Sequence, residues 1–306
     1  MTDALAILAQ GLIKNYGPVP ALQGVDLEVQ QGEIFGFLGP NGAGKTTTIR
    51  CCLDLIRPDR GILRILGLDP QKDSVSVRRR CGYLPGELHF EDSFSVKGYF
   101  RYLDQLRDHK TEWQRVQKMA DRIDLDLKPQ IKNLSKGNKQ KVGIIQAFMH
   151  RPDLLLLDEP TLGLDPLVQH EVLQMIVEAC DEGTTIFFSS HNMSEVQDIA
   201  KRVAIIRNGV VVEVADTQAL IKRTLRRVDI RFSQEVNIDS LQNLPGVKML
   251  SSTNDRNIRL QIEGEMDKLI KTLATYPVSD FETEQPTLEE VFMAYYEKER
   301  SGTGTE

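Results

Sequence analysis

The stretch Gly39-Pro40-Asn41-Gly42-Ala43-Gly44-Lys45-Thr46-Thr47 decides the fold of this chain. It fits the template G-x4-G-K-[ST], and it lies between an apolar run at 34–38, which predicts a strand, and a helical pattern at 45–55. Glycines in such a loop let the backbone wrap around a phosphate and turn successive N–H groups inward, because no Cβ atoms obstruct it. The stretch therefore predicts a phosphate loop in an α/β fold.

Two side chains of the loop suit a triphosphate. Lys45 supplies a point charge for the β- and γ-phosphates, and the Thr46 hydroxyl is placed for Mg²⁺. The N-terminus of the following helix adds a partial positive charge at the same place. The alternative is a glycine-rich turn with a solvated lysine, which the strand-and-helix context disfavours. We expect phosphate contacts from Gly39, Asn41, Gly42, Gly44, Lys45, Thr46 and Thr47.

A pair of carboxylates follows another apolar run. The run at 154–157 ends in Asp158 and Glu159. Two adjacent carboxylates at the end of a buried strand are costly to bury without a partner, and Mg²⁺ supplies one. Asp158 would hold the ion directly or through water, and Glu159 would act as the general base on the attacking water. Alone the pair could also cap a helix; beside a phosphate loop, the metal and base roles are favoured.

A histidine follows a third predicted strand, at 184–190. Ligands of open α/β sheets bind at the carboxyl ends of the parallel strands, where Lys45, Asp158 and Glu159 are also expected. A lone histidine is more often structural or solvent-facing. The position of His191 nevertheless favours contact with the γ-phosphate.

Composition restricts the class of protein. Apolar residues make up 41% of the 306 residues and charged residues 27%, which favours a packed core over disorder. No apolar run approaches the ~18 residues that cross a bilayer, and we expect no secretory signal. Four cysteines without metal-ligand spacing indicate reduced, mostly packed thiols. The net charge of −6 lies mainly in residues 228–306, at −7, so residues 1–227 do not have the composition of a strongly basic nucleic-acid binder.

The order of predicted elements indicates two domains. Strands at 5–8 and 25–29 precede the loop, and helical patterns at 95–128 and 139–150 precede a strand–helix alternation that argues for a parallel sheet covered on both faces. After residue 227 the pattern changes to a small α+β unit, with strands at 228–232, 248–252 and 257–262 and helices at 265–274 and 286–296. We predict domains at 1–227, with a helical subdomain at about 87–150, and at 228–306.

The motifs together resemble the ATP-binding cassette (ABC) ATPases, specifically the stand-alone ATP-binding subunits of transporters, over about residues 4–225. The most specific segment is Leu134-Ser135-Lys136-Gly137-Asn138-Lys139-Gln140-Lys141, which resembles the LSGGQ signature of that family. It is followed by the carboxylate strand and by Gly163-Leu164-Asp165-Pro166, which is similar to the family's D-loop. The resemblance implies a P-loop ABC-type ATPase domain, with a mixed sheet and a helical subdomain, and ATP and Mg²⁺ as cofactors.

The resemblance also implies a dimer mechanism. Ser135 and Gly137 would face the γ-phosphate held by a second copy of the chain, so that two ATP molecules are sandwiched in a head-to-tail dimer. Asp165 would cross the interface and connect the two sites. Tyr16 matches the aromatic residue that stacks on adenine in the family, although an ordinary turn tyrosine remains the alternative. Hydrolysis with Glu159 as base would then let the dimer open.

Two positions depart from the family pattern. Tyr83-Leu84-Pro85 is followed by Gly86 where the family has its Q-loop glutamine, and Gly86 cannot ligate Mg²⁺. Glu87 could substitute, water could fill the gap, or coupling to a partner could be built differently. In the signature, Lys136 replaces a glycine and Asn138 replaces the glutamine. Both changes are similar to one branch of exporter-like cassettes.

The C-terminal segment resembles the C-terminal domain of export-type subunits. This resemblance implies an ATPase on the cytoplasmic face of the cell membrane that drives export through a separate integral-membrane permease, with no nucleic acid as partner. The aromatic helical stretch near 87–110 is the expected docking surface, although core packing explains it as well. The alternatives are a soluble ABC-type ATPase acting on ribosomes or nucleic acid, and a cassette that gates resistance or signalling without transport.

Overall fold

The computed structural model describes residues 4–91, 93–107, 111–222, 226–236, 241, 244–253, 256–262, 266–284 and 288. Two compact units, Met1–Ala215 and Asp216–Glu306, divide the chain. The division lies before the boundary predicted after residue 227, which falls inside a strand that begins at Arg226. In the sequence that boundary is marked by a change of hydrophobic period, and such a change becomes visible only within the elements that follow it.

A six-stranded sheet forms the centre of the first unit, in the spatial order β5-β6-β7-β3-β8-β9. Strands β5, β6, β7, β3 and β8 pair in parallel. All side chains of β3, β6 and β7 are buried, as expected for parallel strands covered on both faces. The strands are β3 (Ile34–Leu38), β5 (Cys81–Leu84), β6 (Leu154–Asp158), β7 (Thr185–Ser190), β8 (Arg202–Arg207) and β9 (Val210–Asp216).

A second, antiparallel sheet of the first unit has the order β2-β1-β4. Its strands are β1 (Leu5–Tyr16), β2 (Val19–Gln30) and β4 (Arg60–Ile65). The predicted strands at 5–8 and 25–29 were too short, and β4 was not predicted. Irregularities in the β1–β2 register between Ala9 and Leu12, next to Gly11 at a φ of 58°, break the alternation that a sequence pattern can follow.

The first unit contains seven α-helices in its described residues, and three of them, α3, α4 and α5, lie within the helical subdomain predicted at about 87–150. The stretch predicted to be helical over 95–128 contains two helices, because α3 ends at Leu106 and α4 begins only at Trp113. Helix α5 begins at Lys136, three residues earlier than predicted, because the Ser135 side chain caps it. The helices are α1 (Lys45–Cys52), α2 (Ser74–Arg80), α3 (Val96–Leu106), α4 (Trp113–Arg122), α5 (Lys136–Phe148), α6 (Pro166–Asp181) and α7 (Met193–Ile199).

The second unit contains a four-stranded antiparallel sheet in the order β11-β12-β10-β13. The core lies on one face of this sheet, where Val228, Leu260 and Leu269 are buried together. The fourth strand was not predicted, and the helix predicted at 286–296 lies outside the described residues apart from Leu288. The elements are α8 (Thr217–Lys222), β10 (Arg226–Phe232), β11 (Val247–Thr253), β12 (Asn257–Ile262), α9 (Asp267–Leu273) and β13 (Val278–Glu284).

The four cysteines are free thiols. Cys51, Cys52 and Cys81 are buried in the core of the first unit. Burial raises the pKa of the Cys51 and Cys81 thiols to about 12, and it raises the pKa of Cys52 as well. Cys180 is half-buried, and its pKa is also raised by burial.

Within the described residues, none of the helices combines the length and the apolar character that crossing a bilayer requires.

Candidate nucleotide-binding site

The phosphate loop connects β3 to α1, as predicted. Gly42 has a φ of 80° and Gly44 a φ of 112°, a left-handed conformation that glycine adopts at no steric cost. The loop borders a cleft of about 440 Å³. The residues that line the cleft are Ala21, Pro40, Asn41, Gly42, Gly44, Lys45, Thr46, Thr47, Arg50, Gly86, Glu87, Asp158, Glu159 and Leu162. All predicted loop residues except Gly39 line it.

Lys45 is held inside the cleft by the loop that carries it. Its side chain is only 6% exposed. The ammonium group donates to the carbonyl of Gly39 at 2.6 Å and lies 3.2 Å from Glu159 Oε1. The Gly39 carbonyl thus positions the lysine, and the phosphate contact expected from Gly39 stays a prediction. Backbone carbonyls cannot neutralise a buried ammonium group, so the nearby carboxylate supplies the compensating charge.

Asp158 ends β6 and joins two neighbouring segments of the site. Its Oδ2 accepts a hydrogen bond from the Thr46 hydroxyl at 2.7 Å, and its Oδ1 accepts one from Ser189 at 2.5 Å. The carboxylate is almost completely buried, yet no lysine or arginine of the described residues pairs with it. An anion that is buried on neutral donors, beside a hydroxyl on the phosphate loop, has the oxygen chemistry that Mg²⁺ prefers.

Glu159 and His191 meet where β6 and β7 end. His191 Nδ1 lies 2.7 Å from Glu159 Oε2. Glu159 has a φ of 54°, an uncommon conformation for a residue with a Cβ, which costs about 1 kcal/mol or more. Its amide lies 3.2 Å from both the carbonyl and the hydroxyl oxygen of Ser189. The strained backbone turns the Glu159 side chain toward the cleft, where a base could take a proton from water.

Sequence reasoning missed a buried contact behind Glu159. The side-chain amide of Gln140, on α5, donates to the carbonyl oxygens of Glu159 and Pro160 at 3.2 Å and 3.1 Å. The position of Gln140 in the signature-like segment was visible, but its partners were not, because they lie about 20 residues further along the chain. The contact fixes the backbone that follows β6 to the helix of the signature segment.

Gly86 lies against the carboxylate strand. A Cβ atom built on Gly86 would lie 3.1 Å from Asp158 Oδ2, so the loop passes close to the carboxylate with no side chain between them. Gly86 and the exposed Glu87 both line the cleft. Gly86, the residue at which the sequence departs from the family pattern, therefore lies in the site itself.

The remaining predicted residues lie away from this cleft within the described part of the chain. The Ser135 side chain accepts a hydrogen bond from the amide of Asn138, and Asp165 accepts one from the amide of Val168, so each caps a helix. A Cβ on Gly137 would lie 3.1 Å from the carbonyl of Gly163. Tyr16 is 46% exposed, with the Lys14 ammonium 5.9 Å from its ring centre.

Comparison with known proteins identifies the family. The family model described as ABC transporter matches residues 22–162. The uncharacterized ABC transporter ATP-binding protein BpOF4_11395 of Alkalihalophilus pseudofirmus is 36% identical over 268 residues, which covers 84% of this chain and 97% of that protein. The chain belongs to the ABC transporter ATP-binding proteins. The predicted family is therefore confirmed.

A second family model matches the C-terminal part of the chain, and another relative supports the family assignment. Residues 217–296 match the family model of the C-terminal domain of DrrA1-3-like ATP-binding proteins. The bacitracin transport ATP-binding protein BcrA of Bacillus licheniformis is 34% identical over 237 residues, covering 73% of this chain and 74% of BcrA.

Solved structures agree with the fold of the ABC protein. An ATP-binding subunit of an ABC transporter superposes with a TM-score of 0.66 at 29% identity, over 70% of this chain and 91% of that one. A dimeric bacterial ABC transporter cassette superposes with a TM-score of 0.64 at 20% identity, over 69% and 98%, and shows the shared fold alone. The predicted fold class, an ABC-type ATPase domain with a small α+β domain, is confirmed.

Proposed function

We propose that this ABC protein hydrolyses ATP in a head-to-tail dimer and thereby drives export through a separate membrane permease. The observation that carries the proposal is the convergence of Lys45, Asp158, Glu159 and His191 on one edge of the sheet beside the phosphate loop. This is the arrangement that phosphoryl transfer to water needs, namely a cation for the phosphates and a base for the water.

The residues of the cleft have different roles in the proposed reaction. The loop amides and Lys45 bind the triphosphate. Thr46 and Asp158 would hold Mg²⁺, which supplies neutralising charge at the phosphates. Glu159 takes a proton from the attacking water while the water oxygen bonds to the γ-phosphorus and the bond to the β-phosphate oxygen breaks. His191 holds the Glu159 carboxylate through the 2.7 Å contact. In the proposed mechanism it would also contact the γ-phosphate.

The dimer accounts for the residues that lie away from the cleft. Ser135 and Gly137 stand at the start of α5, a helix of 13 residues whose N-terminal N–H groups can bind an anion. In a head-to-tail dimer these residues reach the γ-phosphate of the second copy, and Asp165 reaches across the interface. A solved cassette with the same fold is a dimer.

The permease would bind a groove beside the helical region. Some aromatic residues of the stretch near 87–110, the expected docking surface, pack within the chain instead. Phe100 is fully buried, and the Phe94 ring stacks on the Tyr102 ring with their centres 5.2 Å apart. A groove of about 570 Å³ lies nearby, with an apolar part and a cationic part. It is lined by Val75, Arg78, Arg79, Leu103, Leu106, Arg107 and His150. Since none of these is acidic, a cytoplasmic permease segment with apolar residues and a carboxylate fits it.

The proposed function also implies where in the cell the chain acts and what each of its two units does. BcrA is a bacitracin transport protein, which supports a role in transport, and we place the chain on the cytoplasmic face of the membrane, bound to the permease. We assign ATP binding to the first unit and an accessory role to the second unit, whose residues 217–296 match the C-terminal domain of DrrA-like proteins.

Glu159→Gln tests the hydrolytic mechanism. The variant keeps the size of the side chain but removes the base, so ATP binding should persist while hydrolysis falls at least about 100-fold. With Mg²⁺ and ATP, size-exclusion chromatography should show a trapped dimer. Glu178→Gln is the matched control, since Glu178 lies on an exposed face paired with Arg122. Retained hydrolysis in Glu159→Gln, or a nucleotide-loaded form that stays monomeric, contradicts the proposal.

Charge reversal in the groove tests the permease contact. Arg107→Glu should lower the amount of ATP-binding subunit recovered with a candidate permease, after co-expression and detergent extraction. Arg151→Glu, an exposed site paired with Glu112, is the control. Equal recovery of both variants would argue against the groove, whereas recovery of neither the variants nor the unmodified chain would argue against the permease partnership.

A further inference from the structure

Glu195, on α7, is a buried carboxylate that the mechanism above does not use. The residue is 6% exposed. Its Oε1 accepts hydrogen bonds from the Thr161 hydroxyl at 2.7 Å and from the Asn192 side-chain amide at 3.2 Å, and its Oε2 accepts one from the Ser190 hydroxyl at 3.0 Å. Among the described residues no lysine, arginine or histidine pairs with it. A buried anion held only by neutral donors is costly, so its retention calls for an explanation.

The donors come from the two segments that carry the reacting groups. Thr161 lies two residues after Glu159, and Ser190, the last residue of β7, immediately precedes His191. Both Thr161 and Ser190 are buried. One carboxylate therefore connects the segment that follows β6 to the last residue of β7.

The connection matters because neither reacting side chain is held by a regular element. Glu159 occupies a left-handed backbone conformation, which persists only when its surroundings fix it. The His191 side chain is about half exposed, and its contact with Glu159 Oε2 is the one hydrogen bond that the described residues make to its ring. The distance between Glu159 and His191 therefore depends on how firmly the two segments are joined.

We propose that Glu195 is a positioning residue that holds the segments of Glu159 and His191 in register for hydrolysis. The inference rests on the proposed function, in which Glu159 is the base. Glu195 touches neither reacting side chain and acts through Thr161 and Ser190. Displacement of a reacting group by about 1 Å can cost about 100-fold in rate, so loss of this connection should lower kcat more than it lowers ATP affinity.

The experiment compares Glu195→Ala and Glu195→Gln with Asp198→Ala, which removes an exposed carboxylate from the same helix. In Glu195→Ala we expect kcat for ATP hydrolysis to fall between about 10-fold and 100-fold, with the dissociation constant for ATP changed less than about threefold. Glu195→Gln retains the shape and one acceptor oxygen, and it serves if the alanine variant does not fold. For it, a loss of at least about threefold in kcat is expected.

A spectroscopic measurement separates positioning from general loss of structure. The imidazole signals of the nucleotide-free full chain are recorded by NMR, and His191 is assigned by its loss in His191→Gln. We expect the His191 signal to move in both Glu195 variants and to stay in Asp198→Ala. A kcat equal to that of Asp198→Ala, or an unmoved His191 signal, overturns the positioning role. So does a parallel loss of kcat, ATP affinity and helical circular dichroism.

The outcome remains separable from that of the proposed function. If the unmodified chain does not hydrolyse ATP, the proposed function fails, while the NMR comparison still shows whether Glu195 sets the environment of His191. If the unmodified chain hydrolyses ATP and the Glu195 variants match it, the positioning role alone fails.

Discussion

Acidification should destabilise the first unit through His150. His150 Nε2 lies 3.2 Å from the carbonyl of Cys81, so this nitrogen carries the hydrogen in the neutral ring. Within the described residues, the buried Nδ1 has no hydrogen-bond partner. Burial, together with the nearby charge of Arg107, lowers the pKa of His150 to about 4 from the usual 6.5. Protonation would therefore bury an N–H group that lacks an acceptor.

The sign and size of the effect follow from the pKa difference. Between pH 6.5 and pH 4 the unfolded chain binds more protons at His150 than the folded chain does, so stability from this residue is present above pH 6.5 and is lost as the pH falls toward 4. At 1.36 kcal/mol per pKa unit, the free energy of unfolding should fall by about 2 kcal/mol between pH 7 and pH 5.

Urea unfolding at pH 7 and pH 5 measures this loss. Trp113 is the only tryptophan and lies on α4, so its fluorescence reports the unfolding of the first unit. In His150→Gln, which retains a donor but does not titrate, the loss between the two pH values should be smaller by about 2 kcal/mol than in the unmodified chain. His170→Gln, at an exposed position on α6, is the control. If His150→Gln loses as much stability as the unmodified chain, to within about 0.5 kcal/mol, the reasoning about burial is refuted.

Three further substitutions probe the cleft and the dimer. Lys45→Ala removes the charge beside the loop carbonyls, so the ATP affinity measured by calorimetry should fall at least about tenfold. The control Lys201→Ala, at an exposed position, should leave the ATP affinity unchanged. Equal affinities of the two variants would exclude Lys45 from the site. Gly86→Ala places a methyl group 3.1 Å from Asp158 Oδ2, the carboxylate proposed to hold Mg²⁺. The gain in ATP affinity on adding Mg²⁺ should therefore shrink severalfold. An unchanged gain would show that the Asp158 carboxylate moves aside without loss of Mg²⁺ binding. Gly137→Ala improves helix propensity but adds a methyl group at the start of α5, which the proposed dimer places against the γ-phosphate of the second copy. In the Glu159→Gln background, sedimentation should therefore show a weaker ATP-bound dimer, and an equally tight dimer would remove Gly137 from the proposed interface.

Local chemistry made much of the site predictable. The phosphate loop is a continuous segment, so its glycines and Lys45 could be identified together. The placement of Asp158, Glu159 and His191 at one edge followed from a general property of parallel strands, which needs only their order and direction. The pairing of Glu159 with His191 at 2.7 Å is consistent with that prediction.

Other features depended on contacts that a sequence pattern does not contain. Glu195 was not predicted because its donors come from two segments, one 34 residues before it. Strand β13 alternates weakly and is largely exposed, so no apolar period marked it. Strand β1 continues through Gly11, where the alternation breaks, and only pairing with β2 and β4 shows that the strand goes on.

The inaccessible thiols of the first unit make the chain a convenient background for cross-linking. Alkylating reagents and disulfide exchange act on thiolates, and burial keeps Cys51, Cys52 and Cys81 protonated at neutral pH. Only Cys180 would need replacement before new cysteines were introduced. A thiol in place of Asn41 on one copy and of Ser135 on another could then be oxidised selectively, so that covalent capture reports directly which face of one protomer meets which face of its partner.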